Sequence, residues 1–269
     1  MSRGLTSRPA LVVAAALSLC YGAQARGDDF NPTLLGTRFL QTATPLTNEK
    51  GVFEMRVQHR FYQSFVDSGG GGAFGLDSSA NVALGVEYAF VKNVSVSIIR
   101  TTLLADYEFA GKVTLLRPTD KLPLAIGVRG GVNWLTARYF KRQSSGFGQL
   151  IVAGTLGGVV TLGAAPSYTQ RTPQEKKVWN IPLLMQVRVT KSIAAIGEFV
   201  PGGDLAKSDP QWSFGIEKNV YHHKFLLWIG NSGATTVDQL LAGDYNGGVR
   251  DLNLRIGFNI TRSWDMFTD

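Results

Sequence analysis

The chain alternates between apolar and polar residues over segments of about ten residues. Residues 51–63, GVFEMRVQHRFYQ, show the pattern, with apolar Phe53, Met55, Val57 and Phe61 interleaved with polar Glu54, Arg56, Gln58 and Arg60. Strand side chains point alternately to opposite faces, so such a segment has one apolar and one polar face. The pattern alone is consistent with a soluble antiparallel sheet and with a membrane barrel whose apolar face contacts lipid.

The connections between these segments favour the membrane barrel. About twelve strands are predicted, near residues 51–62, 79–90, 93–101, 105–116, 122–134, 147–155, 158–168, 178–190, 192–200, 211–218, 223–230 and 250–262. Every second connection is short, which places all tight turns at one end of an up-and-down sheet. A soluble sandwich has no reason to keep this parity. We therefore predict an all-β fold, a single up-and-down antiparallel transmembrane β-barrel of about 12 strands with short periplasmic turns and long extracellular loops.

Charged residues fall on the polar phase of the predicted strands, which a barrel turns toward its lumen. The predicted lumen-lining residues are Glu54, Arg56, Arg60, Glu87, Glu108, Lys112, Arg129, Arg188, Glu198, Glu217 and Arg255. Acids and bases are nearly balanced in this set. They could pair across the lumen and plug it, or line a narrow pore in which the slight basic excess favours anions.

Tryptophan residues fall near predicted strand ends. The parity of the connections brings Trp134, Trp179, Trp212 and Trp228 to the long-loop rim, while Trp264 follows the last strand at the other rim. Amphipathic rings gather at membrane interfaces. We therefore predict that all five tryptophans are interface aromatics.

The start of the chain has the form of a secretory signal. Residues 1–25 contain two arginines, a short apolar run and the motif Ala23-Gln24-Ala25, which together predict a cleaved signal peptide. Residues 26–50 show little alternation, and we predict a periplasmic N-terminal segment that enters the lumen as a partial plug. The transmembrane barrel is predicted for residues 51–264 and a C-terminal tail for residues 265–269.

The composition of the chain excludes several kinds of site and partner. The single cysteine, Cys20, lies in the predicted signal peptide, so the mature chain has no disulfide, thiolate metal site or cysteine nucleophile. A mean hydropathy of +0.03 excludes a helical membrane bundle. Without Arg3 and Arg8 of the predicted signal peptide, the formal net charge falls from +7 to +5. This is a mild excess without a run of five or more like charges, so nucleic acid is not indicated as a partner.

The sequence offers few catalytic candidates. Of its histidines, His59 is predicted on the outward face near the outer rim, whereas His222 and His223 lie in a turn at the opposite end and cannot share a site with it. The glycine-rich residues 68–75 lack the Lys-Ser/Thr of a phosphate-binding loop and predict a flexible outer loop. Residues 235–244 predict a short helix that begins at Thr236 and folds into or over the lumen. We predict no catalytic residues, metal or cofactor, and hence no enzyme.

Several short motifs follow one another along the chain in a specific order. They are Thr37-Arg38, Gly51, His59-Arg60-Phe61, Phe74-Gly75-Leu76-Asp77, Glu87-Tyr88, Gly257-Phe258-Asn259-Ile260 and Arg262. With these motifs the chain, over residues 36–264, resembles an uncharacterised bacterial family of outer-membrane β-barrel proteins, the family of domain of unknown function 5777. The resemblance implies a barrel integral to the outer membrane of a Gram-negative bacterium and brings no established activity. The resemblance also implies that the protein is encoded near lipocalin-like periplasmic proteins and c-type cytochromes.

Three classes of function remain open. The leading hypothesis is a channel or transporter for small solutes or ions across the outer membrane. The alternative is a structural or docking barrel for periplasmic electron-transfer partners, and the third is a surface-facing envelope enzyme that uses His59. The predicted partners are outer-membrane lipid and lipopolysaccharide, the barrel-assembly machinery and a periplasmic partner such as a cytochrome.

Overall fold

The structure, a computed structural model, describes residues 36–138, 142–174, 176–202, 210–243 and 254–266. The predicted signal peptide, residues 26–35 and positions 267–269 of the predicted tail lie outside these ranges. None of the helices in the described ranges is long and apolar enough to span a membrane.

The chain forms one closed antiparallel sheet. Its strands are β1 (Val52–Phe61), β2 (Ala80–Val91), β3 (Val94–Thr101), β4 (Asp106–Leu116), β5 (Leu124–Leu135), β6 (Gln143–Leu156), β7 (Val160–Ala164), β8 (Ser167–Thr169), β9 (Val178–Asn180), β10 (Leu183–Arg188), β11 (Ile193–Val200), β12 (Gln211–Val220), β13 (His223–Gly230) and β14 (Arg255–Asp265). Strand β1 pairs with β14 and β5 pairs with β6, so the sheet closes on itself. The predicted all-β barrel is confirmed, with 12 strands in its wall.

The fourteen segments make twelve wall strands because two strands are interrupted at proline. β7 and β8 both pair with β6, and Pro166 lies between them. β10 pairs with β7 and β9 pairs with β8, with Pro182 between them. Proline has no N–H to donate to the ladder. Its carbonyl still accepts a hydrogen bond at both sites, from Leu150 N to Pro166 O and from Ala165 N to Pro182 O, each 2.9 Å long.

Two strands extend three or more residues beyond their predicted limits. β6 begins at Gln143, four residues before the predicted start, because Ser144, Ser145 and Gly146 pair regularly with β5 although they carry little apolar signal. β14 ends at Asp265 instead of near residue 262, since its last residues pair with the first residues of β1. In both cases pairing with a neighbour extends a strand past its alternating pattern.

The predicted parity of the connections is present except around β4, where residues 102–105 at the long-loop end form a shorter connection than residues 117–123 at the tight-turn end. At one end β2 and β3 are joined by Lys92 and Asn93, and β12 and β13 by Tyr221 and His222, with positive φ at Asn93 (67°) and Tyr221 (51°). The connections that follow β1, β3, β5, β8, β11 and β13 begin at the other end. They include helix α1 (Phe65–Ser68), helix α2 (Val237–Leu241) and two 3-10 segments, Gly70–Gly75 and Leu103–Ala105. Because tight turns are periplasmic in outer-membrane barrels, the second end is the outer one.

The outer surface of the wall is apolar. Exposed large apolar side chains alternate with buried polar ones along each strand, among them Leu84, Val86, Ile98, Phe109, Val128, Val132, Leu183, Met185, Phe214 and Ile216. On β1 the outward set contains Met55 and Val57, and the inward set contains Glu54, Arg56 and Arg60. This is the arrangement of a barrel whose outside contacts lipid and whose inside is polar.

The interior is filled by two segments that belong to no wall strand. Residues 36–47, which we call the plug, are almost entirely buried and form a tight hairpin closed by hydrogen bonds from Phe39 N to Thr42 O and from Thr44 N to Thr37 O, both 2.9 Å. Residues 231–243, which we call the inserted loop, fold into the outer end and carry α2. The predicted helix after Thr236 is therefore present, and it lies inside the barrel.

One tryptophan lies on the opposite face from the prediction. Trp134 and Trp179 point outward, with 45% and 65% of their surface exposed, and Trp212 and Trp264 lie on outward positions with partial exposure. Trp228 is only 2% exposed and faces the lumen, where the Arg60 guanidinium lies 4.6 Å from its ring centre. β13 is apolar on both faces, so its alternation did not reveal which face is inward.

We expect lipid-borne quenchers to separate these tryptophans. In a variant that keeps only Trp179, brominated phospholipids should quench the fluorescence strongly, because this indole lies on the outer surface. In a variant that keeps only Trp228, the same lipids should leave the emission nearly unchanged, because the wall shields the indole. Equal quenching of the two variants in reconstituted vesicles would place Trp228 on the lipid face.

A glycine in β5 permits close packing of two strands. A Cβ on Gly131 would lie 2.0 Å from the carbonyl oxygen of Phe109 and 2.9 Å from the Cα of Ala110. A Cβ on Gly130 would meet only the Phe147 carbonyl oxygen at 3.5 Å. We expect Gly131→Ala to destabilise the barrel by about 1–3 kcal/mol and Gly130→Ala to have little effect. Urea unfolding followed by heat-modifiable gel mobility checks this, and equal stabilities would contradict it.

Candidate functional site

The charged residues predicted to line the lumen lie at inward positions of the wall. Ten of them are less than a tenth exposed, namely Glu54, Arg56, Arg60, Glu87, Glu108, Lys112, Arg129, Glu198, Glu217 and Arg255. Arg188 is half-buried, and one of its guanidinium nitrogens lies beside Gly158 at the periplasmic end. The site is therefore the polar interior of the barrel together with the two segments that occupy it.

Several of the buried charges are paired along the wall. Arg56 forms an ion pair with Glu54, and Arg129 forms one with Glu108. Lys112 Nζ lies 3.1 Å from Glu87 Oε1. Buried charges require such partners because water no longer solvates them. The pairs cancel much of the field that each cation would project into the lumen.

The tip of the plug holds the carboxylate of Glu198, which projects inward from β11. The backbone N–H groups of Leu40, Gln41 and Thr42 all donate to its Oε1, over 2.9, 3.0 and 2.9 Å. Successive N–H groups that converge on one acceptor form an anion-binding nest. Asn259 Nδ2 donates to the Leu40 carbonyl oxygen over 3.1 Å on the other side of the tip. Through these four hydrogen bonds the wall holds the backbone of the tip.

The base of the plug is held near the periplasmic end. Thr37 Oγ1 donates to Glu54 Oε1 and accepts from Arg56 Nη2, each over 2.7 Å. At the other end of the plug, Thr47 N donates to Thr114 Oγ1, and this hydroxyl donates to the Pro45 carbonyl oxygen, both over 2.9 Å. Both ends of the segment are thus attached to β1 and β4.

Apolar contacts support these polar ones. Phe39, Leu40 and Leu46 of the plug lie in one buried cluster with wall residues Ile196 and Trp228. Each of these side chains is at most 5% exposed. The inward position of Trp228 therefore has a packing partner in the plug, which explains why an aromatic residue faces a lumen that is otherwise polar.

Plug residue Arg38 extends the ion-pair network. Its Nη2 lies 3.6 Å from Glu108 Oε1, and its Nη1 donates to the Gln41 carbonyl oxygen over 2.7 Å. Burial, followed by repulsion from Arg129 and Arg56, lowers the pKa of Arg38 to about 9. The guanidinium therefore remains charged at neutral pH and gives Glu108 a second cation.

The inserted loop brings carboxyl groups together at the outer end. Thr236 Oγ1 lies 2.9 Å from Asp106 Oδ2 and 2.8 Å from Asp238 Oδ1, and Val237 N donates to Glu108 Oε2 over 2.6 Å. Burial, and next the charge of Asp106, raise the pKa of Asp238 well above its usual value. The sequence pattern did not single out Asp106 and Asp238, because their proximity arises only when the loop folds inward.

The plug and the inserted loop touch each other inside the lumen. Ser232 Oγ of the loop donates to Gln41 Oε1 of the plug over 3.3 Å. Gln41 Nε2 also donates to Ser213 Oγ of the wall over 3.3 Å. Two cavities beside the plug have volumes of about 20 and 10 Å³, room for about one water molecule each. In this conformation the two segments occupy the lumen.

The histidines lie apart from this site. His59 points outward between Phe61 and Phe258, with ring centres 4.5 and 5.0 Å away. Its Nδ1 has no hydrogen-bond partner among the described residues. His222 and His223 lie in and next to the turn before β13, at the opposite end. Within the described ranges, no group of three or more His, Cys, Asp or Glu side chains is arranged to hold a metal ion.

Several solved structures of outer-membrane proteins are similar to this chain, at low sequence identity. Outer membrane phospholipase A from Escherichia coli is 9% identical with a TM-score of 0.44, over 93% of this chain and 98% of that one. Omp33 from Acinetobacter baumannii is 12% identical with a TM-score of 0.41, over 81% of this chain and 100% of that one. OmpT, an outer membrane protein of Vibrio cholerae, is 10% identical with a TM-score of 0.36, over 81% and 99%.

Comparison with sequences identifies the family. No curated protein matches the chain. The model of a membrane-bound β-barrel domain, domain of unknown function 5777, matches residues 35–264, which include the plug and all of the wall except Asp265. The predicted resemblance is therefore confirmed, and the chain belongs to this family of membrane-bound β-barrels.

Proposed function

We propose that this barrel is a channel for small solutes or ions across the outer membrane, closed in the described conformation by the plug and the inserted loop. One observation carries the proposal: the wall has a charged, polar inner face, whereas the two segments that fill it belong to no strand ladder. Both segments can therefore leave the lumen without breaking a strand pair of the wall.

The size of the barrel supports this proposal. Barrels of about eight strands can fill their interior with their own side chains, and those of sixteen or more leave an open channel. A wall of 12 strands lies between these sizes. Here the extra space is occupied by a terminal segment and a loop, which are the parts of a chain that can move most easily.

The attachments of the plug are of a kind that water can replace. Its tip is held by hydrogen bonds to Glu198 and Asn259, and its base by hydrogen bonds to Glu54, Arg56 and Thr114. Groups that lose these partners would be solvated in an open, wet lumen. The buried apolar cluster around Phe39 and Leu40 opposes release, so the closed state is favoured without being locked covalently.

The filled lumen also favours a second candidate, a docking barrel for a periplasmic partner. The plug enters from the end that carries the tight turns, so the residues at its base lie near the periplasm. A partner that binds those residues would need no open pore. The two candidates differ in one measurable property, which is conductance after the plug is released.

We expect Glu198→Ala to open the channel. The substitution leaves three N–H groups of the plug tip without their acceptor and removes no residue of the plug itself. A loss of about 2 kcal/mol from the closed state corresponds to a roughly thirtyfold higher ratio of open to closed barrels. Single-barrel conductance in a planar bilayer measures this ratio directly.

Glu217→Ala is the matched control. It also removes a buried inward carboxylate, from the neighbouring strand β12, but Glu217 does not accept hydrogen bonds from the plug tip. It should leave the ratio of open to closed barrels near that of the wild type. Folded barrels that do not conduct after either Glu198→Ala or deletion of residues 36–47 would reject the channel and favour the docking barrel.

We expect the inserted loop to leave the lumen more readily as the pH rises. The charged groups that face Asp238 are Asp106 and Glu108 on β4, and Glu108 in turn contacts Arg129 and Arg38. The pKa of Asp238 is raised when the loop is inserted and ordinary when it is in water. Insertion is therefore strongest below the ordinary aspartate range and weakens as the pH rises toward the raised value.

Conductance against pH tests this expectation. The open fraction should rise with pH in the wild type, whereas Asp238→Asn should hold the loop inserted and flatten the profile. Asp67→Asn, which neutralises an exposed carboxylate in the loop after β1, should leave the wild-type profile unchanged. A profile that falls with pH, or that persists in Asp238→Asn, would contradict the role given to this carboxyl group.

A further inference from the structure

Basic side chains gather on one sector of the outer rim. Arg138 and Arg142 lie in the connection between β5 and β6, and Arg171, Lys176 and Lys177 lie in the connection between β8 and β9. All five are exposed. We call these five residues the basic sector. In sequence, Lys141 adds another basic residue to these two connections, and Glu175 is their single acidic residue.

Hydrogen bonds hold the two connections side by side. Ser145 Oγ of β6 lies 3.0 Å from Thr169 Oγ1 of β8 and accepts a hydrogen bond from Arg171 N over 2.8 Å. The second connection is closed above β8 and β9 by a 2.8 Å hydrogen bond from Thr172 N to Lys176 O. The cations of the basic sector therefore lie in two connections that neighbouring strands of the wall hold side by side.

Aromatic side chains mark the level of the membrane interface directly below this sector. Trp134 lies 6.0 Å from Tyr107, and Trp179 lies 4.6 Å from Tyr168, measured between ring centres. Exposed Trp and Tyr side chains sit at the level of lipid headgroups. The basic sector follows these rings toward the outside, so its cations lie at the height of the phosphate groups of the outer leaflet.

The rest of the outer rim does not share this charge. The longest connection that the structure describes without a gap, residues 62–79, carries Asp67 and Asp77 and has no lysine or arginine. In sequence, residues 201–210 and 231–254 also contain more acidic than basic residues, so the excess of positive charge among these connections is on the β5–β9 side. A general preference for cations at the rim would not produce this asymmetry.

We propose that the basic sector binds the phosphate groups of lipopolysaccharide in the outer leaflet. The glucosamine phosphates of this lipid form a dense anionic layer at the height of the sector. Arginine matches phosphate with two parallel hydrogen bonds, and lysine contributes compact positive charge. Several cations on one fixed sector can hold more than one phosphate at once, which gives a site for the lipid rather than diffuse attraction.

The test compares two lipids on the purified, detergent-extracted full-length barrel. Native mass spectrometry should show that the wild type binds diphosphorylated lipid A at least tenfold more tightly than lipid A stripped of its phosphates. The double variant Arg142→Glu with Lys177→Glu should lose this preference. Equal binding of the two lipids by the wild type would overturn the proposal, and so would an unchanged preference in the double variant.

Two controls keep the result interpretable. Lys92→Glu with Lys218→Glu makes the same change of charge at exposed positions near the periplasmic end, and should keep the wild-type preference. If the charge-reversed pair at the outer rim does not fold, as judged by heat-modifiable mobility, Arg142→Gln with Lys177→Gln should show a several-fold loss of preference. Complete displacement of lipid A by millimolar inorganic phosphate would assign the sector to free phosphate and reject the lipid.

Discussion

A polypeptide backbone finds no hydrogen-bond partners in lipid, and this constraint shapes the whole molecule. It requires the sheet to close, which the pairing of β1 with β14 and of β5 with β6 achieves. The wall keeps its ladder even where Pro166 and Pro182 interrupt it, because the carbonyl groups of both prolines still accept hydrogen bonds. When the sheet closes with its apolar face toward lipid, the polar face of each strand points into the lumen. The charged side chains of the strands therefore lie inside the barrel.

Those inward charges need partners, and the plug supplies some of these partners. Arg38 gives Glu108 a second cation, and the backbone of the plug tip gives Glu198 three hydrogen-bond donors. Glu198 has no cation within ion-pair distance among the described residues, so without the plug its carboxylate would depend on water. The plug is therefore part of the electrostatic balance of the lumen, and the alternative to it is a lumen filled with water.

The sequence predicted what local patterns determine. Period-two alternation placed residues such as Glu54 and Arg129 on the inward phase, and the parity of connection lengths predicted the closed barrel. Trp228 was placed on the wrong face because β13 is apolar on both sides, and the deciding factor was packing against Phe39 and Leu40 of a distant segment. Local patterns also do not predict the proximity of Asp238 to β4, because it arises only when a loop folds back into the mouth of the barrel.

The two inserted segments are held by different physical interactions, which gives the two ends of the lumen different sensitivities. Backbone N–H groups of the plug tip bind the carboxylate of Glu198. Because this carboxylate is buried, salt screens the interaction little. The inserted loop is held where carboxyl groups crowd, and the raised pKa of Asp238 makes its insertion depend on a proton. Gln41 and Ser232 join the two segments, so movement of one removes a hydrogen bond from the other. Release of one segment therefore weakens the attachment of the other through the contact between them, and the wall need not change.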